Sequence, residues 1–113
     1  MNPQLIADLE RARALIDTPE KWNKTGSSAT DASGNAVPAC SDDARCFCVF
    51  GAIRRAVSEH THREDACLSR LYLSLGFTNG PERLFRWNDA PERTHAEVLA
   101  AFDRAITNER SKA

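Results

Sequence analysis

The chain has 113 residues, of which 42% are hydrophobic and 27% are charged, and its formal net charge is −1. This length suits one domain, and so ordinary a globular composition excludes wholesale disorder. Because 15 basic side chains balance 16 acidic ones, no overall positive excess favours binding to nucleic acid.

No targeting or membrane-spanning segment is recognisable in the sequence. The longest apolar run is CFCVFGAI, residues 46–53, far short of the ~20 residues that a transmembrane helix needs. The first residues, MNPQLIADLERARALID, mix charged with apolar positions and lack the apolar core of a signal peptide. We therefore expect a cytoplasmic protein with reduced cysteines, whose residues 1–113 form a single globular domain.

The first predicted element is an amphipathic helix that begins after Asn2. This asparagine, followed by Pro3, is typical of an N-cap and a first helical turn. Four apolar side chains recur at spacings that place them on one helix face: Leu5, Leu9, Ala12 and Ile16. We expect this face to pack in the core.

The segment 23–40, NKTGSSATDASGNAVPAC, lacks a helical pattern. It is rich in small and polar residues, and its centre, Asp31-Ala32-Ser33-Gly34, is a turn signal. We predict a small β-hairpin or an irregular loop here, inserted between the first and second helices.

The second predicted helix begins near Ser41 to Asp43, whose side chains are suited to capping, and runs to about Ser58. Its middle, CFCVFGAI, is apolar nearly all round, which is typical of a buried central helix. Cys48 in this run should behave as a small buried hydrophobe. On this interpretation Cys48→Ser buries a hydroxyl without an assured partner and costs more stability than Cys48→Ala.

Two further helices begin with the T-x-x-E pattern of a capping box. One begins at Thr61 and ends at Gly76, and the last begins at Thr94 and frays over residues 107–113. The sequence therefore predicts a mostly α-helical fold of about four helices, with the hairpin or loop between the first two.

The stretch WNDAPERTH, from Trp87 onward, concentrates an indole, an amide, a carboxylate, a guanidinium and an imidazole. Its Pro-Glu-Arg tripeptide has counterparts elsewhere in the chain, and proline followed by glutamate suits a helix start. In this interpretation Trp87 packs in the core. Asp89 then caps the turn opened by Pro91 and pairs with Arg93.

The alternative interpretation treats the same stretch as a surface that recognises a partner. The candidate binding residues are Trp87, Asn88, Asp89, Arg93 and His95. Exposed recognition residues contribute little to the stability of a fold, so the two interpretations predict different effects of substitution.

Four side chains are weak candidates for a metal site: Cys40, Cys46, His60 and His62. The C-x-C spacing at residues 46–48 is not the C-x₂₋₄-C clip of structural zinc sites, so we assign no metal and no cofactor. A thiol-dependent enzyme would use Cys46, activated near a helix start, with a histidine as base. Because G-x-S-x-G, G-x-G-x-x-G and Walker A patterns are absent, no catalytic residue is assigned.

Four blocks of the sequence resemble a family of small uncharacterised proteins from bacteria and their phages. The blocks are LERARALIDTPEKW, DASGNAV, RCFCVFGAI and WNDAPERTHAEVLAAFDRAI. Cys48, Gly51 and Ala52 match the W-C-x-x-G-A centre of the family, with Phe47 in place of the usual tryptophan. The last block matches its W-N-D and R-T pairs through Trp87, Asn88, Asp89, Arg93 and Thr94. The resemblance implies no established activity.

These observations favour a small, non-catalytic, cytoplasmic protein that acts by binding another protein. The phage members implied by the resemblance suggest one concrete form, an accessory or anti-defence protein of a phage or prophage. The alternative is a small metal- or thiol-dependent enzyme, or a zinc-binding protein, that uses Cys46 and the nearby histidines. The mixed charge disfavours a nucleic-acid partner, and no membrane association is expected.

Overall fold

The computed structural model describes residues 2–78 and 80–112. Within them the fold is mostly α-helical, as predicted, with five α-helices and a small antiparallel sheet of three strands in the order β2–β1–β3. The helices are α1 (Pro3–Leu15), α2 (Val49–Ala56), α3 (Thr61–Ser74), α4 (Pro81–Asp89) and α5 (His95–Arg110). The strands are β1 (Ala29–Thr30), β2 (Ala36–Val37) and β3 (Cys46–Phe47), and a 3-10 turn covers Pro19–Lys21. None of the described helices combines the length and apolarity that crossing a membrane requires.

Helix α1 begins as predicted. The side chain of Asn2 accepts a hydrogen bond from the amide of Leu5 (3.1 Å), and Pro3 is the first helical residue. The predicted apolar face is buried along its whole length: Leu5, Leu9, Ala12 and Ile16. Helix α1 contacts α2, α3 and α5, so its buried face lies at the centre of the packing of these helices.

The segment 23–40 contains a β-hairpin, which confirms the first of its two predicted forms. Strands β1 and β2 pair in antiparallel orientation. The Asp31 carboxylate closes the turn between them by accepting from the amides of Ser33 and Asn35, each at 2.9 Å. Gly34, with φ +86°, supplies the left-handed conformation that this turn requires.

The start predicted for the second helix, at residues 41–43, is wrong. Residues 41–47 form a turn followed by β3, which pairs with β1. The Ser41 hydroxyl caps only the turn, by accepting from the amide of Asp43 (3.1 Å). Strand β1 offers this apolar segment backbone partners far away in the sequence, and no local periodicity can reveal them. The helix therefore begins only at Val49.

The start of α2 depends on a close approach to the backbone of Ser28. The amide of Cys48 donates to the carbonyl of Ser28 (3.1 Å), and a Cβ on Gly51 would lie 1.8 Å from the same oxygen. Only glycine fits at this point of the first helical turn. Cys48 is the N-cap of the helix, because its sulfur accepts from the amide of Gly51 at 3.3 Å.

Helix α3 begins at Thr61 as predicted, but the capping box predicted there is wrong. The N-cap is His60, which makes no side-chain capping hydrogen bond. The Glu64 carboxylate instead binds Arg54, with Nε–Oε1 at 3.0 Å and Nη2–Oε2 at 3.2 Å. The predicted end of the helix is confirmed, since Gly76 has φ +85°, the left-handed conformation typical of a helix C-terminus.

Helix α4 raises the number of helices above the four that the sequence predicts. This helix begins at Pro81, in one of the counterparts of the Pro-Glu-Arg tripeptide, and continues to Asp89. The buried face of this helix consists of Leu84 and the polar Asn88. Such a face has too few apolar residues to produce a recognisable helical period.

Helix α5 has the predicted capping box. The amide of Glu97 donates to the Thr94 hydroxyl, and the Glu97 carboxylate accepts from the Thr94 amide. Of the segment 107–113, predicted to fray, residues 107–110 are helical, and residue 113 lies outside the described residues. The helix is held there because Glu109 is buried and ion-paired.

The core lies between α1, α2, α3 and α5. Its largest fully buried side chains include Leu9, Ile16, Ile53, Leu71 and Phe102. Trp87, predicted to be a core residue, is half-buried and packs only against the edge of this cluster.

The capping role of Cys48 reverses the order of substitutions expected from the sequence. In Cys48→Ser the hydroxyl replaces the thiol as acceptor for the Gly51 amide, and serine is among the best N-cap residues. We expect Cys48→Ala to lower the free energy of unfolding by about 0.5–2 kcal/mol, because it removes that acceptor. Cys48→Ser should lower it less, as measured by urea unfolding. A serine variant less stable than the alanine variant would show that apolar burial outweighs capping here.

Thr94 and Thr61 provide a matched pair of helix starts, one capped and one not. Thr94→Ala should lower the free energy of unfolding by about 0.5–2 kcal/mol, since it leaves the Glu97 amide without its acceptor. Thr61→Ala removes no capping bond and should change it by less than about 0.5 kcal/mol. Both values come from the midpoints of chemical denaturation. Equal losses in the two variants would contradict this assignment of caps.

Candidate functional site

Asn88 lies at the centre of the predicted binding stretch, but it is buried, with 2% of its surface exposed. Its side-chain oxygen accepts from the indole N–H of Trp22 (2.9 Å) and from the backbone amide of Val49 (3.1 Å). Its NH₂ group donates to the backbone oxygen of Asn23 (3.2 Å) and to the Asp89 carboxylate (2.8 Å). All four hydrogen-bonding positions of the amide are used. The prediction that Asn88 is a surface recognition residue is therefore wrong.

Lys24 fastens the connection between α4 and α5. Its ammonium group donates to the backbone oxygens of Ala90 (3.3 Å), Pro91 (2.8 Å) and Arg93 (2.9 Å). The same group lies 5.5 Å from the ring centre of Trp22. No local pattern in the sequence distinguishes Trp22 or Lys24 as a functional residue. Only the block LERARALIDTPEKW, which ends at Trp22, pointed to this segment.

Arg93 is held by both helices that it connects. Its Nε donates to the backbone oxygen of Trp87 (2.8 Å), and its Nη1 pairs with Glu97 (3.0 Å). The predicted ion pair with Asp89 is wrong, because Asp89 is the last residue of α4 and its carboxylate accepts from a neighbouring side-chain amide. Asp89 likewise does not cap the turn at Pro91, which closes through a backbone hydrogen bond.

His95 joins the start of α5 to the end of α1. Its ring Nε2 lies 2.6 Å from the backbone oxygen of Ile16, and its ring centre lies 6.1 Å from that of Trp22. A carbonyl oxygen can only accept, so this contact requires a proton on Nε2. Of the predicted binding residues, His95, Asn88 and Arg93 therefore hold the fold together.

Three residues of the stretch line a surface groove of about 280 Å³: Trp87, Ala90 and Arg93. Its lining residues are Phe77, Arg83, Arg86, Trp87, Ala90 and Arg93. The guanidinium carbon of Arg93 lies 4.4 Å from the Trp87 ring centre, and that of Arg83 lies 5.5 Å from the Phe77 ring centre. One arginine thus covers each ring, a geometry in which cation and aromatic face attract each other.

The charges of this groove favour a small anionic group. Among the described residues that line it, three are arginines and none is acidic. Arg93 is already paired with Glu97, whereas Arg86 contacts Glu82 only loosely, at 3.7 Å between exposed side chains. Exposed pairs of this kind exchange partners at little cost, so Arg86 and Arg83 can bind an acid.

The structure does not bring the four weak metal-site candidates together. The thiols of Cys46 and Cys40 each donate to a backbone oxygen, at 3.0 and 3.8 Å. His60 and His62 are exposed at the start of α3. In the part of the chain that the structure describes, no group of three or more histidine, cysteine, aspartate or glutamate side chains is arranged to hold a metal ion.

The predicted activation of Cys46 at a helix start is wrong, because Cys46 lies in β3 and Cys48 caps the helix. Burial raises the pKa of the Cys48 thiol, and burial together with the charge of Glu59 raises the pKa of the Cys40 thiol. Burial also raises the pKa of the Cys67 thiol to about 12. Thiols with raised pKa stay protonated at neutral pH and are poor nucleophiles.

Comparison with known proteins agrees with the resemblance seen in the sequence. The family model described as "Family of unknown function (DUF6197)" matches residues 1–108. No curated protein and no solved structure matches the chain.

The burial of Asn88 can be tested by an isosteric substitution. Asn88→Asp replaces the NH₂ donor by a carboxylate that faces the Asn23 carbonyl and the Asp89 carboxylate. We expect the free energy of unfolding to fall by at least about 2 kcal/mol, because buried groups lose their partners. Urea unfolding followed by tryptophan fluorescence measures this loss.

Asp89→Asn is the matched control for this prediction. An asparagine oxygen can still accept from the Asn88 amide, so the free energy of unfolding should change by less than about 0.5 kcal/mol. If Asn88→Asp is as stable as Asp89→Asn, the amide does not connect these segments in solution.

Proposed function

We propose that this chain, which belongs to the family of unknown function DUF6197, is a non-catalytic interaction module that binds an acidic site on a partner protein. The observation that carries the proposal is the groove in which Trp87 and Phe77 each lie under an arginine, beside the exposed Arg83 and Arg86. Aromatic and arginine side chains are enriched in protein interfaces and among the residues that dominate binding energy.

The groove is formed before any partner binds. Arg93 is fixed by the Trp87 carbonyl and by Glu97, and Lys24 donates to the backbone oxygen of Arg93. Side chains that are already ordered lose less conformational entropy on binding. The anchored part of the groove therefore orients a partner, while Arg83 and the loosely paired Arg86 supply the positive charge that binds it.

A short acidic segment of a protein suits this groove better than a substrate does. A volume of about 280 Å³ lies at the lower limit of small-molecule sites, which hold roughly 300–1,000 Å³. Among the described residues, its lining of arginine, aromatic and alanine side chains includes no nucleophile and no general base. A carboxylate on a partner can pair with Arg83 or Arg86 while an apolar neighbour packs on the Phe77 ring.

The cellular setting of this module stays a prediction of the sequence. A cytoplasmic location and an accessory or anti-defence role in a phage or prophage both agree with a module that occupies a partner without changing it chemically. In that setting the acidic site belongs to a host protein, which the module blocks by binding.

A charge-reversal experiment tests the proposal. The double variant Arg83→Glu, Arg86→Glu should lose capture of the partner from a lysate of the native host, because acidic side chains then face each other. The free energy of unfolding of the same variant should fall by less than about 1 kcal/mol, since both arginines are exposed and their pairs are weak. Quantitative mass spectrometry of the captured proteins measures the loss.

Arg104→Glu is the matched control, because Arg104 is an exposed arginine on α5 outside the groove. We expect this variant to capture the partner as the unmodified protein does. With the captured partner purified, replacing its acidic residue by lysine should restore binding to the double variant. Undiminished capture by the double variant would overturn the proposal.

A further inference from the structure

A second cavity, of about 540 Å³, opens between α1, the end of α2 and the start of α3. Three of its lining residues are the arginines Arg11, Arg55 and Arg63. The others are small or apolar: Ala14, Leu15, Ala56 and Ser58. Among the described residues no acidic side chain lines it. It shares no lining residue with the groove at Trp87.

The buried carboxylate of Asp8 orients two of the three arginines by accepting hydrogen bonds from them. Asp8 is 1% exposed, and Arg63 donates to both of its oxygens, through Nε at 2.9 Å and Nη2 at 2.7 Å. Arg11 donates to the same carboxylate through Nη2. Burial raises the pKa of the Asp8 carboxyl, but the hydrogen bonds from Arg63 and Gln4 and the charges of both arginines outweigh burial and lower it. Asp8 is therefore ionised at neutral pH and fixes both guanidinium groups.

The third arginine is fixed by the backbone. Nη1 of Arg55 donates to the carbonyl oxygens of Ala39 (3.0 Å) and Ser41 (2.7 Å). Nε of Arg11 also donates to a backbone oxygen of α2, at 3.3 Å. Within residues 2–78 and 80–112, Nη1 of Arg11, Nη1 of Arg63 and Nη2 of Arg55 donate to no acceptor. Each guanidinium thus keeps donors for a ligand.

The connection between α2 and α3 brings Arg55 and Arg63 to the same cavity. Ser58 and Glu59 both have left-handed backbone, with φ +52° and +64°. This conformation is costly for residues other than glycine. The tight turn that it creates places Arg55 at the end of α2 and Arg63 at the start of α3 on the same side.

The uncompensated charge defines the kind of ligand. Three guanidinium cations against the Asp8 carboxylate leave two positive charges. A phosphate monoester carries about −1.5 to −2 at neutral pH and offers three acceptor oxygens, whereas a carboxylate offers one charge and two oxygens. The forked donors of arginine match phosphate oxygens in pairs.

We propose that the cavity binds the phosphate group of a phosphate monoester. The guanidinium groups of Arg11, Arg55 and Arg63 hold its oxygens, and the apolar part of the ligand packs on Leu15 and Ala56. The monoester can be a phosphorylated side chain of a protein or a small phosphorylated metabolite, since both present the same group.

A titration followed by amide chemical shifts in NMR spectra tests this site. The probes are inorganic phosphate, N-acetyl-O-phosphoserine amide and glycerol 3-phosphate, with acetate as the carboxylate control. We expect saturable shifts around the cavity with all three phosphates, and affinity at least about tenfold weaker for acetate. Tighter binding of the phosphoserine probe identifies a phosphoprotein as the source, and tighter binding of glycerol 3-phosphate identifies a metabolite. No saturable shift with any of the phosphates would overturn the proposal.

Two arginines of similar setting provide the matched variants. Arg55→Gln should weaken phosphate binding by at least about tenfold, whereas Arg13→Gln, on α1 but outside the cavity, should leave it unchanged. If Arg55→Gln fails to fold, Arg11→Gln takes its place. Unchanged affinity in a folded Arg55→Gln or Arg11→Gln variant would overturn the proposal. The Arg83→Glu, Arg86→Glu variant should still bind phosphate, so failure at one site is distinguishable from failure at the other.

Discussion

The buried side-chain amide of Asn88 is the interaction on which the arrangement of the other elements depends. It connects α4 to the segment of Trp22 and Asn23 and to the first turn of α2 at Val49. Because every donor and acceptor of the amide is used inside the protein, moving any one segment leaves a buried polar group without a partner. One polar residue in this way specifies the relative positions of three segments that hydrophobic packing alone would allow to shift.

A second constraint fixes the small sheet against helix α2. The carbonyl of Ser28 accepts from Cys48 and lies where any side chain on Gly51 would clash. The hairpin therefore rests directly on the backbone of α2, and a cysteine at the N-cap closes the first turn. The side-chain oxygen of Asn88, on α4, accepts from the Val49 amide in this same turn. Both constraints therefore act on the start of α2.

Both proposed binding sites lie beside connections between helices. The groove at Trp87 lies beside the α4–α5 connection that Lys24 fastens, and the arginine cavity lies beside the turn between α2 and α3. In each, arginines are held by backbone oxygens or by a buried carboxylate such as Asp8. Although the chain has a net charge of −1, each of these two places gathers three arginines, which favours an anionic partner there.

The sequence by itself determined the features whose hydrogen bonds close within a few residues. These are the Asn2 cap of α1, the turn at Asp31, the end of α3 at Gly76 and the capping box at Thr94, since in each the donor and acceptor types are local and readable. The resemblance to an uncharacterised family was also readable, because it rests on short blocks of sequence.

Only the tertiary structure decided where α2 begins, which residues of WNDAPERTH are buried and how three arginines meet at one cavity. Trp22 and Asn88 are 66 residues apart, and Asp8 and Arg63 are 55 residues apart. Patterns within one helix or strand carry no information about partners at such separations, because those contacts exist only after the chain has packed.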